Sequence, residues 1–173
     1  MNLRQNLIDI YMKLSVNEKL IRLLHYRPPK LDPNDSKSPY SLGDDPLSPS
    51  KHDLVTSKEI LNILNQVLIR TDKTFDLTTT PINRICMYAG TRKPQHNYFS
   101  NDQDFVFDVY VHSALDEVDL RLTWICDTLN ELMFNKEVTG ASKIKFVIGH
   151  NIATTPKNWV GYKMVYRFIG LED

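Results

Sequence analysis

Apolar positions near the start of the chain recur at Leu3, Leu7, Ile10, Tyr11 and Leu14, the spacing of one helical face. Ser15 followed by Glu18 reads as a capping box. It predicts a second, short helix carrying Leu20, Ile21, Leu23 and Leu24, ended by Pro28-Pro29. Thr56 and Glu59 form another such pair ahead of a helix reaching about Arg70, with Ile60, Ile63, Leu64, Val67 and Leu68 on one side. The period then changes to two. From Ile82 to Gly90, Ile85, Met87 and Ala89 alternate with Arg84, Cys86 and Tyr88. From Gln103 to His112, Phe105, Phe107, Val109 and Val111 share a face, while Asp108 and His112 point the other way.

Ser113 with Asp116 caps the next predicted helix. Its apolar positions, Leu115, Val118, Leu122, Ile125, Leu129 and Leu132, step by three and four and draw one narrow stripe along a single continuous helix. Two more strands follow. Ile144, Phe146 and Ile148 alternate with Lys143, Lys145 and Val147, and then Val160, Tyr162, Met164, Tyr166 and Phe168 alternate with Gly161, Lys163, Val165, Arg167 and Ile169.

This order predicts an α+β fold. Four strands in ββαββ order form one mostly antiparallel sheet, with helices packed on one face and an N-terminal helical segment. The chain of 173 residues suits a single domain over 1–173. It divides into N-terminal helices (1–27), a Pro-rich loop or arm (28–53) and an α+β core (54–173). Residues 28–50 hold six of the nine prolines. Such a stretch buries too little apolar surface to fold alone, and loops this long are often functional.

Composition narrows the function. No apolar run approaches the roughly 18 residues needed to span a bilayer. The N-terminal stretch carries Asp9 and no small-residue cleavage site, which predicts a helix rather than a secretory signal, and a protein made and kept in the cytoplasm. Cys86 and Cys126 are the only cysteines, and each falls at a buried helix or strand position with no CxxC or His-Cys spacing.

The formal net charge is zero but unevenly spread. Residues 1–30 carry six basic and two acidic groups; residues 101–136 carry two basic and eight acidic. Opposed patches of this kind suit contact between copies of one chain better than a nucleic-acid footprint. The sheet face opposite the helices is expected to carry Arg84, Lys143, Lys145, Lys163 and Arg167 with one acid, Asp108. It would be either wet or covered by a partner. The acidic helix supplies a matching surface.

Candidate chemistry is sparse. Five histidines are scattered without an HExxH spacing, and neither GxGxxG nor GxxxxGK[ST] occurs. His112 beside Ser113 would put the two side chains on opposite faces of a strand, so Ser113 reads as a cap. The carboxylate pairs Asp44-Asp45 and Asp116-Glu117 sit in a loop and in a first helical turn, where the dipole alone favours acids. Neither a metal, a cofactor nor a catalytic residue is assigned. The segment "TRKPQHNYF" mixes basic and aromatic residues and reads as a protein-binding loop.

Taken together, "IDIYMKLSVNEKLIRLLHYRP", a loop with "DPLS", then "FVFDVYVHSALDEVDLRLTWICDTLNELM", "VTGASKIKFVIG" and "WVGYKMVYRFIG" resemble the small neck proteins of tailed bacteriophages, in particular tail terminator or head–tail joining proteins. The resemblance implies a structural virion protein assembled in the bacterial host cytoplasm. It would form a homo-oligomeric ring, typically a hexamer, at the head-proximal end of the tail. Such a ring ends the tail tube, joins it to the head connector and lets DNA pass without sequence-specific binding or any membrane.

A heterologous ring needs two complementary surfaces on each subunit. Asp116, Glu117, Asp119, Asp127 and Glu131 are expected to face Lys143, Lys145, Lys163 and Arg167 of the next subunit. Arg92, Lys93, His96, Tyr98 and Phe99 are expected to reach an adjoining layer. The alternatives are a head-completion protein of the neck, a small cytoplasmic binding module gripping a peptide with Tyr98-Phe99, or a small enzyme.

Overall fold

The computed structural model describes residues 2–26, 45–77, 83–94, 100–139 and 142–171. Helices α1 (Leu3–Ser15) and α2 (Glu18–His25) open the chain, and α3 (Ile60–Val67) runs directly into the short strand β1 (Leu68–Ile69). Strands β2 (Arg84–Pro94) and β3 (Ser100–His112) form a long hairpin. Helices α4 (Ser113–Asp119) and α5 (Arg121–Met133) follow, then the small ribbon β4 (Glu137–Thr139) and β5 (Ser142–Lys143), and finally β6 (Lys145–Asn151) and β7 (Trp159–Leu171).

The main sheet has five strands in the order β1-β2-β3-β7-β6. This corrects the expected four-stranded sheet. Strand β1 joins the edge of β2 in parallel, and every other pairing is antiparallel, so the sheet is mixed. Two residues are too few to show alternation, and Leu68 also fits the apolar stripe of α3, which hid the strand. The last strand is central: β7 pairs with β3 along its whole length, from Ser100 opposite Leu171 to His112 opposite Trp159. Strand β6 is left at the edge.

One face of the sheet is dry. Ile85, Met87, Phe105, Phe107, Val109, Met164, Tyr166 and Phe168 are buried in one cluster with the apolar sides of α1, α2, α3 and α5. Phe105 meets Phe168 edge-on at 4.8 Å, and Phe107 meets Tyr166 at 5.5 Å. Each large side chain buried here stabilises by roughly 1.5–3 kcal/mol, mostly offset by chain entropy.

The long helix expected from Ser113 onward is broken. Leu120 adopts the left-handed conformation (φ 52°, ψ 42°) and separates α4 from α5. The Asp116 carboxylate accepts a hydrogen bond from the Leu122 amide at 2.8 Å, satisfying one of the orphan donors that open α5. Caps differ from expectation as well. Asn17, not Ser15, caps α2 by accepting from the Leu20 amide. Ser15 closes α1 by donating to the Met12 carbonyl. His112, not Ser113, caps α4, and α3 starts from Glu59 with no side-chain cap.

Residues 28–53 were expected to be one loop or arm. Its first part lies outside the described residues. Residues 45–55 lie along α2, with Arg22 donating to the carbonyls of Ser48 and Lys51 and to the Asp53 carboxylate. Glu18 accepts from the amides of Leu54 and Val55.

Candidate functional site: a charge ladder and an edge groove

The outer sheet face is built from the positions that alternate with the core. Near one end, Leu77, Cys86, Tyr110 and Trp159 make a small second apolar cluster. Charges occupy much of the remainder, on either side of Val106 opposite Val165, and register pairs them. Asp108 lies opposite Lys163 and Asp104 opposite Arg167 on neighbouring strands. Lys163 Nζ sits 2.9 and 3.0 Å from the two Asp108 oxygens and donates to the Tyr88 hydroxyl at 2.7 Å, which in turn donates to Asp108 at 2.8 Å. Arg167 grips Asp104 with two hydrogen bonds, at 2.7 and 3.1 Å, and lies 3.4 Å from Asp102. Arg84 makes a bidentate contact with Asp76. This part of the face is therefore an ion-pair ladder, not the basic surface expected. The acids Asp104 and Asp102 were not counted on it.

Burial alone would lower the Lys163 pKa, but its bonds to Tyr88 and Asp108 outweigh that and raise it, so the ammonium stays charged. Burial likewise raises the Tyr88 phenol. Neither group is poised to accept a proton at neutral pH. Burial pushes the Cys86 thiol up to about 11 and the Cys126 thiol up to about 12, so both remain protonated and unreactive. Both cysteines are free. Among the described residues no group of three His, Cys, Asp or Glu is placed to hold a metal ion, and no helix is long and apolar enough to cross a membrane.

The expected interface residues separate into two sets. Asp116 is engaged as the α5 cap, Asp119 is buried against Arg121, and Glu131 pairs with Lys19 at 3.0 Å. Lys163 and Arg167 belong to the ladder. Glu117, Asp127, Lys143 and Lys145 are exposed. Lys143 lies on β5, opposite Glu137, outside the main sheet. Arg92 and Lys93 are exposed on the far part of β2. His96, Tyr98 and Phe99 lie outside the described residues.

Sequence reasoning missed a groove of about 660 Å³ between α5 and the inner face of β6 and β7. Leu122, Cys126, Phe134, Phe146, Tyr162 and Met164 supply its apolar surface, and Asp116, Asp127, Asn130 and Asn151 its polar one. Gly149 makes room for the Tyr162 ring, because a Cβ there would come within 2.7 Å of the Tyr162 hydroxyl. The edge strand above the groove is unusually apolar for its position. Phe146, Val147 and Ile148 are 41%, 41% and 52% exposed. The available signal was the run of three apolar residues, which breaks strict alternation.

The fold and these surfaces define a small α+β protein with one five-stranded mixed sheet, helices over its inner face, an ion-pair ladder on its outer face and an apolar groove beside its edge strand. The chain belongs to the YomW family, whose pattern it matches over residues 17–168. The SPbeta prophage-derived protein YomW of Bacillus subtilis (strain 168) is 30% identical over 135 residues, spanning 72% of this chain and 80% of the relative. Among solved structures, a chain of the virion of a native gene transfer agent particle aligns with a TM-score of 0.43 and 9% identity, over 68% of this chain and 87% of its own.

Proposed function

We propose that this protein is a structural component of a tailed-phage virion. It forms a ring at the head-proximal end of the tail, closes the tail tube and joins it to the head connector. The observation that carries the reading is membership in a family whose Bacillus subtilis member is prophage-derived. The exposed charges fit the role. Glu117 and Asp127 on the α4–α5 side and Lys143 and Lys145 on the strand side give each subunit two unlike patches, as a heterologous ring requires. Complementary charge would set register and reject wrong pairings more than add affinity. DNA would cross the ring without base-specific contacts.

Glu117 and Lys143 serve for the test because both lie outside the groove. Light scattering on the purified chain, alone and with tail tubes, should find a ring that Glu117→Lys or Lys143→Glu weakens and that the double exchange restores. Electron micrographs of the tubes should place the ring at the tube end. Particles that stay monomeric with tubes present, or density on capsids alone, would overturn the terminator assignment; capsid density would favour the head-completion reading.

A further inference from the structure

The edge strand β6 and the groove beneath it form a single surface. We infer that this surface receives an extended segment of another protein, which pairs with β6 as a sixth strand and sends alternate side chains into the groove. On the face it turns to the groove, the occupant carries apolar residues with a Lys or Arg among them, two positions apart along the strand.

The first argument is the strand itself. At the edge of the sheet, β6 has no neighbour on its outer side among the described strands, and backbone groups there accept an added strand. Protein edges are ordinarily guarded by charge, yet Phe146, Val147 and Ile148 are exposed together.

Charge supplies the second argument. The groove wall holds two carboxylates, Asp116 and Asp127, and no basic side chain. Asp116 already serves the α5 amide, which leaves Asp127 at the rim to meet an incoming cation. Tyr162, Phe134 and Phe146 around it offer ring faces that an ammonium or guanidinium also favours.

The third argument separates a foreign chain from a second copy. The β6–β7 register shifts between Phe146 and Ile148, a bulge that bends the edge, and Lys145 stands at its start. Bulges and edge lysines are devices that discourage two identical edges from pairing. The inference does not depend on ring formation: Asp127 also belongs to the acidic patch proposed for the ring, and Phe146, which does not, is the variant that tells the two apart.

Hydrogen exchange on the full-length protein provides that test, with two synthetic peptides as probes, a Lys–Val peptide repeating Val-Ser-Lys-Ser, so that Val and Lys share one face, and a Glu–Val peptide repeating Val-Ser-Glu-Ser. The Lys–Val peptide should slow exchange of the β6 amides about ten-fold or more, and the Glu–Val peptide should not. Asp127→Lys should abolish that protection, and Phe146→Ala should reduce it. Glu59→Lys, exposed at the start of α3 and outside the groove, should leave it unchanged. Protection by both peptides alike, by neither, or only through dimers joined at β6 would overturn the inference. A chain that forms rings but ignores the Lys–Val peptide would lose this inference and keep the ring.

Discussion

Arg121 is 1% exposed, and its guanidinium holds three things at once. It bonds Asp119 at 2.7 Å and donates to the carbonyls of Leu23 and Tyr26 at 2.9 Å each, closing the end of α2. Removing it strands a buried carboxylate and the Tyr26 carbonyl and leaves the Leu23 carbonyl a single long bond from Asn83 at 3.4 Å, so Arg121→Ala should cost about 3–5 kcal/mol in urea unfolding. Arg121→Lys should recover little of this, because an ammonium cannot reproduce the fork. Glu18 works at the other side of the same helix. Burial alone would raise its pKa, but hydrogen bonds from Leu54, Arg22 and Val55 prevail and hold it below the ordinary carboxylate value. Asp76 is held low by its hydrogen bond from Arg84, against an opposing effect of burial. A depressed folded pKa means stability that is complete above the unfolded value and lost as pH falls through the folded one. Urea midpoints should therefore drop from about pH 5 downward, and Glu18→Gln should flatten that slope.

At the scale of elements, Leu120 is the informative position. It is 66% exposed and left-handed, a conformation costing a non-glycine residue roughly 1–2 kcal/mol. Leu120→Gly should relieve that cost while adding unfolded-state entropy, for a net gain of up to about 1 kcal/mol by thermal or urea unfolding. The break explains what could and could not be read from the chain. The stripe from Leu115 to Leu132 was correctly apolar at helical spacing, because both helices pack on the same sheet. Leucine has no preference for positive φ, and the acid that caps α5 stands six residues before the amide it satisfies, so neither sign of the break is local. Strands were legible for the opposite reason. Phe105, Phe107, Val109 and Val111 are buried on the core face and alternate with Asp104, Val106, Asp108 and Tyr110, which are buried on the other, a pattern set by one wholly apolar face and one that takes paired charges. Caps were misplaced by two residues or fewer at α2 and α4, where asparagine or histidine outcompeted a serine close by.

For the whole molecule, charge could be counted from the sequence but not paired. The register that sets Asp104 opposite Arg167 and Asp108 opposite Lys163 emerges only when β7 enters the sheet beside β3, fifty or more residues away. With those pairs closed, fewer of the charges expected at a subunit interface stay exposed and unengaged in the ladder: Glu117, Asp127, Lys143 and Lys145. The groove was invisible for a similar reason, since it needs α5 and β6 in one place. The anchoring around α2 has a consequence of another kind. Arg121 fixes the backbone at Tyr26, and Arg22 and Glu18 fix it again from Ser48 to Val55. With both stems fastened to one rod, doubling the length of the insert between them would cost only about 0.6 kcal/mol in closure entropy. That makes this corner tolerant of insertion: a foreign peptide spliced between the two anchors should leave the unfolding free energy within about 1 kcal/mol of the parent.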